Sequence, residues 1–146
     1  MRSTLRGYYA LLALATMVSK NGEERRFRIE DIAKRHPIPE PYLLQIFQDL
    51  KKSGLVKAKR GAHGGYVLAK PAREITLTAV IESVEGPILP SPLEGRSENA
   101  ERPKSWKALD AIWGDLREGV RKIGSEHTLV SIAEKLSEEE PDMYYI

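Results

Sequence analysis

Gln45 and Gln48 lie three residues apart in a stretch that continues to Lys51 and Lys52, and a glycine-rich basic run, Arg60-Gly61-Ala62-His63-Gly64-Gly65, follows closely. A glutamine amide can pair with both hydrogen-bonding groups of an adenine edge, while Lys and Arg neutralise phosphate and hold the register. Glycine adds a backbone that can approach a ligand closely. Between Lys51 and Arg73 the chain carries Lys51, Lys52, Lys57, Lys59, Arg60, Lys70 and Arg73, and no Asp or Glu. That grouping suits a polyanion. Rival chemistries are poorly represented. With no cysteine there is no disulfide, thiol nucleophile, Cys-ligated zinc or Cys-ligated iron-sulfur cluster. There is no H-E-x-x-H and no Walker loop, and Gly61-x-x-Gly64-Gly65 leads into a strand pattern instead of opening a helix. His36, His63 and His127 are far apart, so His63 reads as a turn residue or a phosphate contact. No catalytic residue, metal or cofactor is expected.

These residues need elements to hold them. Ser3 to Val18 has apolar residues on two stripes (Leu5, Tyr9, Leu12, Ala15 and Tyr8, Leu11, Leu14, Val18), which predicts a helix packed on two sides. After the polar break Lys20-Asn21-Gly22, Ile29, Ile32 and Ala33 mark a short second helix to His36, ended by His36-Pro37-Ile38-Pro39. A third helix starts near Pro41 and runs to about Ser53, before Gly54. Leu43, Ile46, Phe47 and Leu50 would face inward; Leu44, Gln45, Gln48, Lys51 and Lys52 would face out. Alternation in Val56-Lys57-Ala58-Lys59 and the composition of Tyr66-Val67-Leu68 predict a hairpin around the glycines. Two short helices, a tight turn and a basic hairpin make a winged helix-turn-helix. The fold class expected is mainly α with a small β-hairpin, extended by a long C-terminal dimerisation helix. The residues expected to meet double-stranded DNA are Arg28, Tyr42, Leu44, Gln45, Gln48, Lys51, Lys52, Arg60, Gly61, His63, Gly64 and Gly65.

Ile75-Thr76-Leu77 is expected to add an edge strand, and Thr78 to cap a helix with Val80, Ile81 and Val84 that ends at Gly86. Residues 1–86 would form the DNA-binding domain and residues 87–104 a proline-rich loop. In residues 105–146, Trp106, Leu109, Trp113, Leu116, Val120 and Ile123 alternate by three and four, a coiled-coil seam. Too short and too aromatic to remain exposed, that seam would pack against the same helix of a second subunit; the alternative is an intrachain helix packing on its own domain. Thr128 is expected to cap a final helix with Leu129, Ile132, Ala133 and Leu136, followed by an acidic stretch and Met143-Tyr144-Tyr145-Ile146.

At 146 residues and a formal net charge of +2, the chain suits one domain with an extension, and its anionic partner is argued from local charge, not the total. No apolar run approaches a membrane span and no signal peptide is evident, so no membrane association and a cytoplasmic location are expected.

The motifs together resemble the Rrf-two type of bacterial winged-helix transcriptional regulators. The resemblance lies in Gly7-Tyr8-Tyr9-Ala10, Ile32-Ala33, Tyr42-Leu43 with Leu50, Gly54-Leu55-Val56, and above all Arg60-Gly61-x-x-Gly64-Gly65-Tyr66-x-Leu68. It implies a homodimer with crossing long helices and two winged helices on a partly palindromic operator. One branch senses through a cluster held by cysteines in the loop before the long helix; here that loop has none, so cluster sensing is not carried over. Leu44 replaces an acidic residue that several members have on the recognition helix. Glu85-Gly86-Pro87-Ile88 and the aromatic-Ile terminus are similar to the cluster-free cysteine-metabolism repressors. That implies a repressor of cysteine or sulfur genes, with a cysteine synthase (O-acetylserine sulfhydrylase) as a partner accepting the Ile146 carboxylate. Tyr144, Tyr145 and Ile146 would be the partner-binding residues; the alternative is that they fold back onto the dimer. A second function class is a protein-interaction module acting through the coiled-coil helix and the tail; an affinity for duplex DNA indifferent to both salt and sequence would exclude DNA recognition and leave that class.

Overall fold

A computed structural model describes residues 4–18, 25–62, 64–96 and 101–144. Helix α1 spans Leu5–Thr16, with Thr4 at its cap accepting from the Arg6 amide at 3.2 Å. Ala10, Ala13, Leu14 and Ala15 are fully buried, and the small size of the three alanines leaves room for the three other helices that pack on α1. Helix α2 is Ile29–Arg35, with Glu30 and Asp31 in its first turn and Lys34 and Arg35 in its last, each sign favoured by the helix dipole. It stops at His36, in extended conformation before Pro37. Helix α3, Glu40–Lys52, has proline in its first turn and buries Leu43, Ile46, Phe47 and Leu50 completely. Its end is a Schellman arrangement. Gly54 sits at φ +75°, its amide donates to Lys51 O, and the Leu55 amide donates to Leu50 O, both at 3.0 Å.

Strands β1 (Val56–Lys59) and β2 (Gly65–Leu68) pair antiparallel, with Val56 opposite Leu68 and Lys59 opposite Gly65. The free edge of β2 is taken by Phe27, whose amide and carbonyl both bond Tyr66, at 2.9 and 2.8 Å. Ile75-Thr76-Leu77 therefore does not join the hairpin, contrary to the sequence expectation. A single 3-10 turn at Ala72–Glu74 carries the chain away. Thr76 then bridges Thr128, and Leu129 donates to Ile75 O at 2.7 Å.

Helix α4 is Leu77–Glu85, and its cap is Thr76, not Thr78 as expected. Thr76 has the extended dihedrals a cap requires and accepts from the Ala79 amide at 3.1 Å. Thr78 lies inside the first turn and donates its hydroxyl to Arg121 O at 2.9 Å, tying α4 to the next helix. Helix α5, Lys104–Ser125, leans its C-terminal half on α4, where Arg121 also pairs with Glu82. Helix α6, Leu129–Glu139, opens with a reciprocal capping box between Thr128 and Ser131 and returns to α1. Its Leu129 and Ala133 are fully buried in the same cluster as Leu14, Ile32 and Phe47.

Candidate nucleic-acid interface

Helix α3 divides as its periodicity predicts: Leu44, Gln45, Gln48, Lys51 and Lys52 are exposed opposite the buried stripe. The helix is fixed sideways by Arg6. That guanidinium pairs with Asp49, donates through Nε to Val84 O at 3.1 Å, and lies 5.7 Å from the Tyr42 ring centre. Asp49 is the single acid between Pro41 and Arg73, so its pairing removes the one carboxylate that would oppose phosphate there. Tyr42 is half-buried, its ring edge-on to Tyr9 at 5.7 Å, and holds the base of the exposed face.

The wing is built on backbone geometry. Gly61 has φ +114° and accepts from the Gly64 amide at 2.9 Å. A Cβ on Gly65 would stand 2.6 Å from Phe27 O, so the Phe27–Tyr66 bridge admits only glycine. Lys57 and Arg60 are exposed along the hairpin. Arg28 precedes α2 and reaches across to donate to Ala62 O at 3.0 Å, bracing the wing tip against the helix-turn-helix. The Tyr66 ring meets Phe47 at 4.9 Å from inside, so wing and recognition helix share one foundation. Between them lies a cleft of about 370 Å³ lined by Arg28, Glu30, Glu40, Leu44 and the wing glycines Gly61, Gly64 and Gly65. Glu30 and Glu40 are additions that sequence reasoning missed. Carboxylates repel phosphate and accept from cytosine amines, so the cleft suits base edges better than the backbone. Among the described residues, no three His, Asp or Glu side chains assemble into a metal-holding group.

On α5 the expected seam divides. Trp106, Leu109, Leu116 and Ile123 are more than half exposed; Trp113 and Val120 are half-buried. Trp113 faces its own loop, where Nε1 donates to the carbonyls of Leu89 and Pro90 at 3.2 and 3.1 Å. Ile112, 64 % exposed, belongs to the stripe instead. One residue along an α-helix is a rotation of about 100°, which carries Ile112 off the side on which Trp113 bonds its loop. At the other end, Tyr144 is only 2 % exposed, with its ring 5.9 Å from that of His36, and Arg35 donates to Met143 O at 3.3 Å. Burial lowers the His36 pKa and raises that of Tyr144. His63, Tyr145 and Ile146 lie outside the described residues.

A helix-turn-helix with an outward amide-bearing second helix, braced to a basic hairpin, defines a winged-helix DNA-binding protein. The chain belongs to the Rrf2 family, described as iron-dependent transcriptional regulators, whose model matches residues 3–135. It is thus a DNA-binding transcriptional regulator and not an enzyme. Curated relatives include the HTH-type transcriptional regulator CymR of Bacillus subtilis, 33 % identical over 147 residues and covering 100 % of both chains. The regulator IscR of Serratia proteamaculans is 33 % identical over 134 residues, covering 90 % of this chain and 79 % of its own. Among solved structures, CymR, the global cysteine regulator of B. subtilis, superposes with a TM-score of 0.67 at 30 % identity, covering 92 % of this chain and 98 % of that one. IscR of T. potens gives 0.66 at 26 % identity, with coverage of 95 % and 90 %. Both alignments take in at least 92 % of this chain. No helix among the described residues is long and apolar enough to cross a membrane.

Proposed function

We propose that the chain acts as a homodimer that binds a partly palindromic operator and represses genes of cysteine or sulfur metabolism. The observation that carries the dimer is the apolar line Leu109, Ile112, Leu116 and Ile123, each more than half exposed on α5. Continuous apolar surface of this kind is covered in solution, and a second copy of the same helix matches it by symmetry. Two copies then present two α3 helices, each to one half-site. Phosphate contacts fall to Lys51, Lys52 and Arg60, and base contacts to Gln45 and Gln48. Resemblance to CymR along the whole of both chains supports the cysteine regulon, and the cysteine-free loop before α5 supports a signal other than a cluster. That signal is a cysteine synthase engaging Tyr145 and Ile146.

Recovery of genomic fragments bound by the chain tests this reading. The expected result is an inverted repeat in front of sulfur-assimilation or cysteine genes, with affinity falling steeply as salt rises. Fragments without a repeated half-site, or binding indifferent to salt, would overturn it.

A further inference from the structure

Leu44 is the one large apolar side chain on the outward face of α3, 43 % exposed and flanked there by Gln45 and Gln48. It is the fifth residue of a helix that starts at Glu40, about 6 Å along the axis from the N-terminus. In helix-turn-helix docking that end of the recognition helix meets base edges, whereas the C-terminal end, here Lys51 and Lys52, lies toward phosphate. Leu44 also lines the cleft beneath the wing glycines Gly61, Gly64 and Gly65. Those glycines have no side chains to cover it, so its methyl groups stay open to a ligand entering between helix and wing. A leucine neither donates nor accepts a hydrogen bond. Of the groups displayed in a major groove, the C5 methyl of thymine is the apolar one.

We propose that Leu44 is a base-reading residue that recognises the 5-methyl group of a thymine in each half-site. This rests on the operator-binding reading above and supplies its missing chemistry. Glu40 is one helical turn earlier and lines the same cleft, so Leu44 has a carboxylate neighbour that disfavours phosphate and keeps a base edge at this position. Burying one methyl is worth about 0.8 kcal/mol, or about fourfold in affinity per half-site and roughly fifteenfold when both half-sites change.

The test selects preferred duplexes from a random pool with the full chain, then replaces each thymine in turn by deoxyuridine, which differs only in lacking the methyl. One symmetry-related pair of thymines is expected to lose about fifteenfold with the wild-type chain and to show no difference with Leu44→Ala. Putting 5-methylcytosine at the same places should recover part of the loss relative to cytosine. Selected duplexes with no methyl-sensitive position overturn the role of Leu44 and leave operator binding standing. The same holds if Leu44→Ala keeps the full methyl sensitivity. A pool that yields no preferred sequence overturns both readings; Leu44→Gln, which keeps the bulk at an exposed position but lacks the methyl groups, carries the same comparison should Leu44→Ala fail to fold.

Discussion

His36 Nε2 lies 2.8 Å from Thr16 Oγ1, and that hydroxyl gives its single proton to Leu12 O at 2.9 Å. The imidazole must therefore donate, which fixes the neutral ring with its proton on Nε2. His36 is 5 % exposed beneath Tyr144. Burial lowers its pKa from 6.5, and Arg35 adds to this while Glu140 opposes it. Because the folded pKa is the lower one, the unfolded chain binds more protons in the window between the two values. The stabilisation is complete above about pH 6.5 and is lost as pH falls through the folded value. Thermal melts from pH 8 to pH 5 should fall more steeply for the wild type than for His36→Gln. Parallel pH profiles would show that the buried ring carries no such linkage.

The contacts proposed for Arg60 and Gln45 are of two kinds, to phosphate and to bases. Arg60→Ala should weaken binding to all duplexes by a similar factor and reduce the slope of log affinity against log salt by about one. Gln45→Ala should cost about 1–3 kcal/mol on the preferred sequence alone and relax the preference at one position. Titration of preferred and scrambled duplexes at several salt concentrations checks both. Uniform losses from both variants would remove Gln45 from base reading.

The helix-turn-helix and wing were legible because their signals are local. The i, i+3, i+4, i+7 spacing of Leu43, Ile46, Phe47 and Leu50, the stop at Gly54, and the glycines of the hairpin each specify geometry within a few residues. What was not legible depends on partners distant in sequence. Phe27 pairs with Tyr66 as a single residue, too short for a strand pattern. Thr76 and Thr78 carry the same capping chemistry, and only the packing of α5, through the Arg121 carbonyl, determines which one turns inward. Glu40 and Leu44 gain meaning once the wing folds over them. The return of α6 onto α1 left no local mark in the sequence.

The stripe on α5 makes Leu116 a sensitive probe of association. Leu116→Asp places a charge in the proposed interface, where an unpaired buried carboxylate is strongly unfavourable. Analytical ultracentrifugation should show dimer converted to monomer, with far-ultraviolet circular dichroism unchanged because Leu116 is 52 % exposed in the single chain. Trp113→Phe, which loses the bonds to Leu89 and Pro90, should instead loosen the loop and spare the dimer. A dimer that survives Leu116→Asp would place the interface elsewhere.

Gly124 is buried in α5 where it crosses α4, and a Cβ there would overlap Thr78 Oγ1. In an exposed helix Gly→Ala gains about 1 kcal/mol. Here the clash forces Thr78 out of its bond to Arg121 O, and overpacking of this kind costs about 1–3 kcal/mol. The net expectation for Gly124→Ala is destabilisation by about 1 kcal/mol in urea unfolding. In the double variant with Thr78→Ala the space is restored, and the loss should be smaller than the sum of the two single changes. Strict additivity would mean the two residues do not meet.

Tyr144 and the two residues after it can be tested separately. Tyr144 is core: its ring covers His36, and removing a buried aromatic costs about 3–5 kcal/mol. Tyr144→Ala should therefore lower the melting temperature whether or not a partner exists. Deleting Tyr145 and Ile146 leaves that ring in place, so melting and dimerisation should persist while a complex with a cysteine synthase, followed by co-elution, is lost. Retention of the complex after the deletion would exclude the terminus as the contact. Loss of the dimer would instead assign Tyr145 and Ile146 to subunit packing. Because Tyr144 anchors the chain to the end of α2, a partner drawing on the last two residues acts one residue away from the helix-turn-helix. The deletion should accordingly abolish any effect of the synthase on DNA affinity while leaving the affinity of the free chain unchanged.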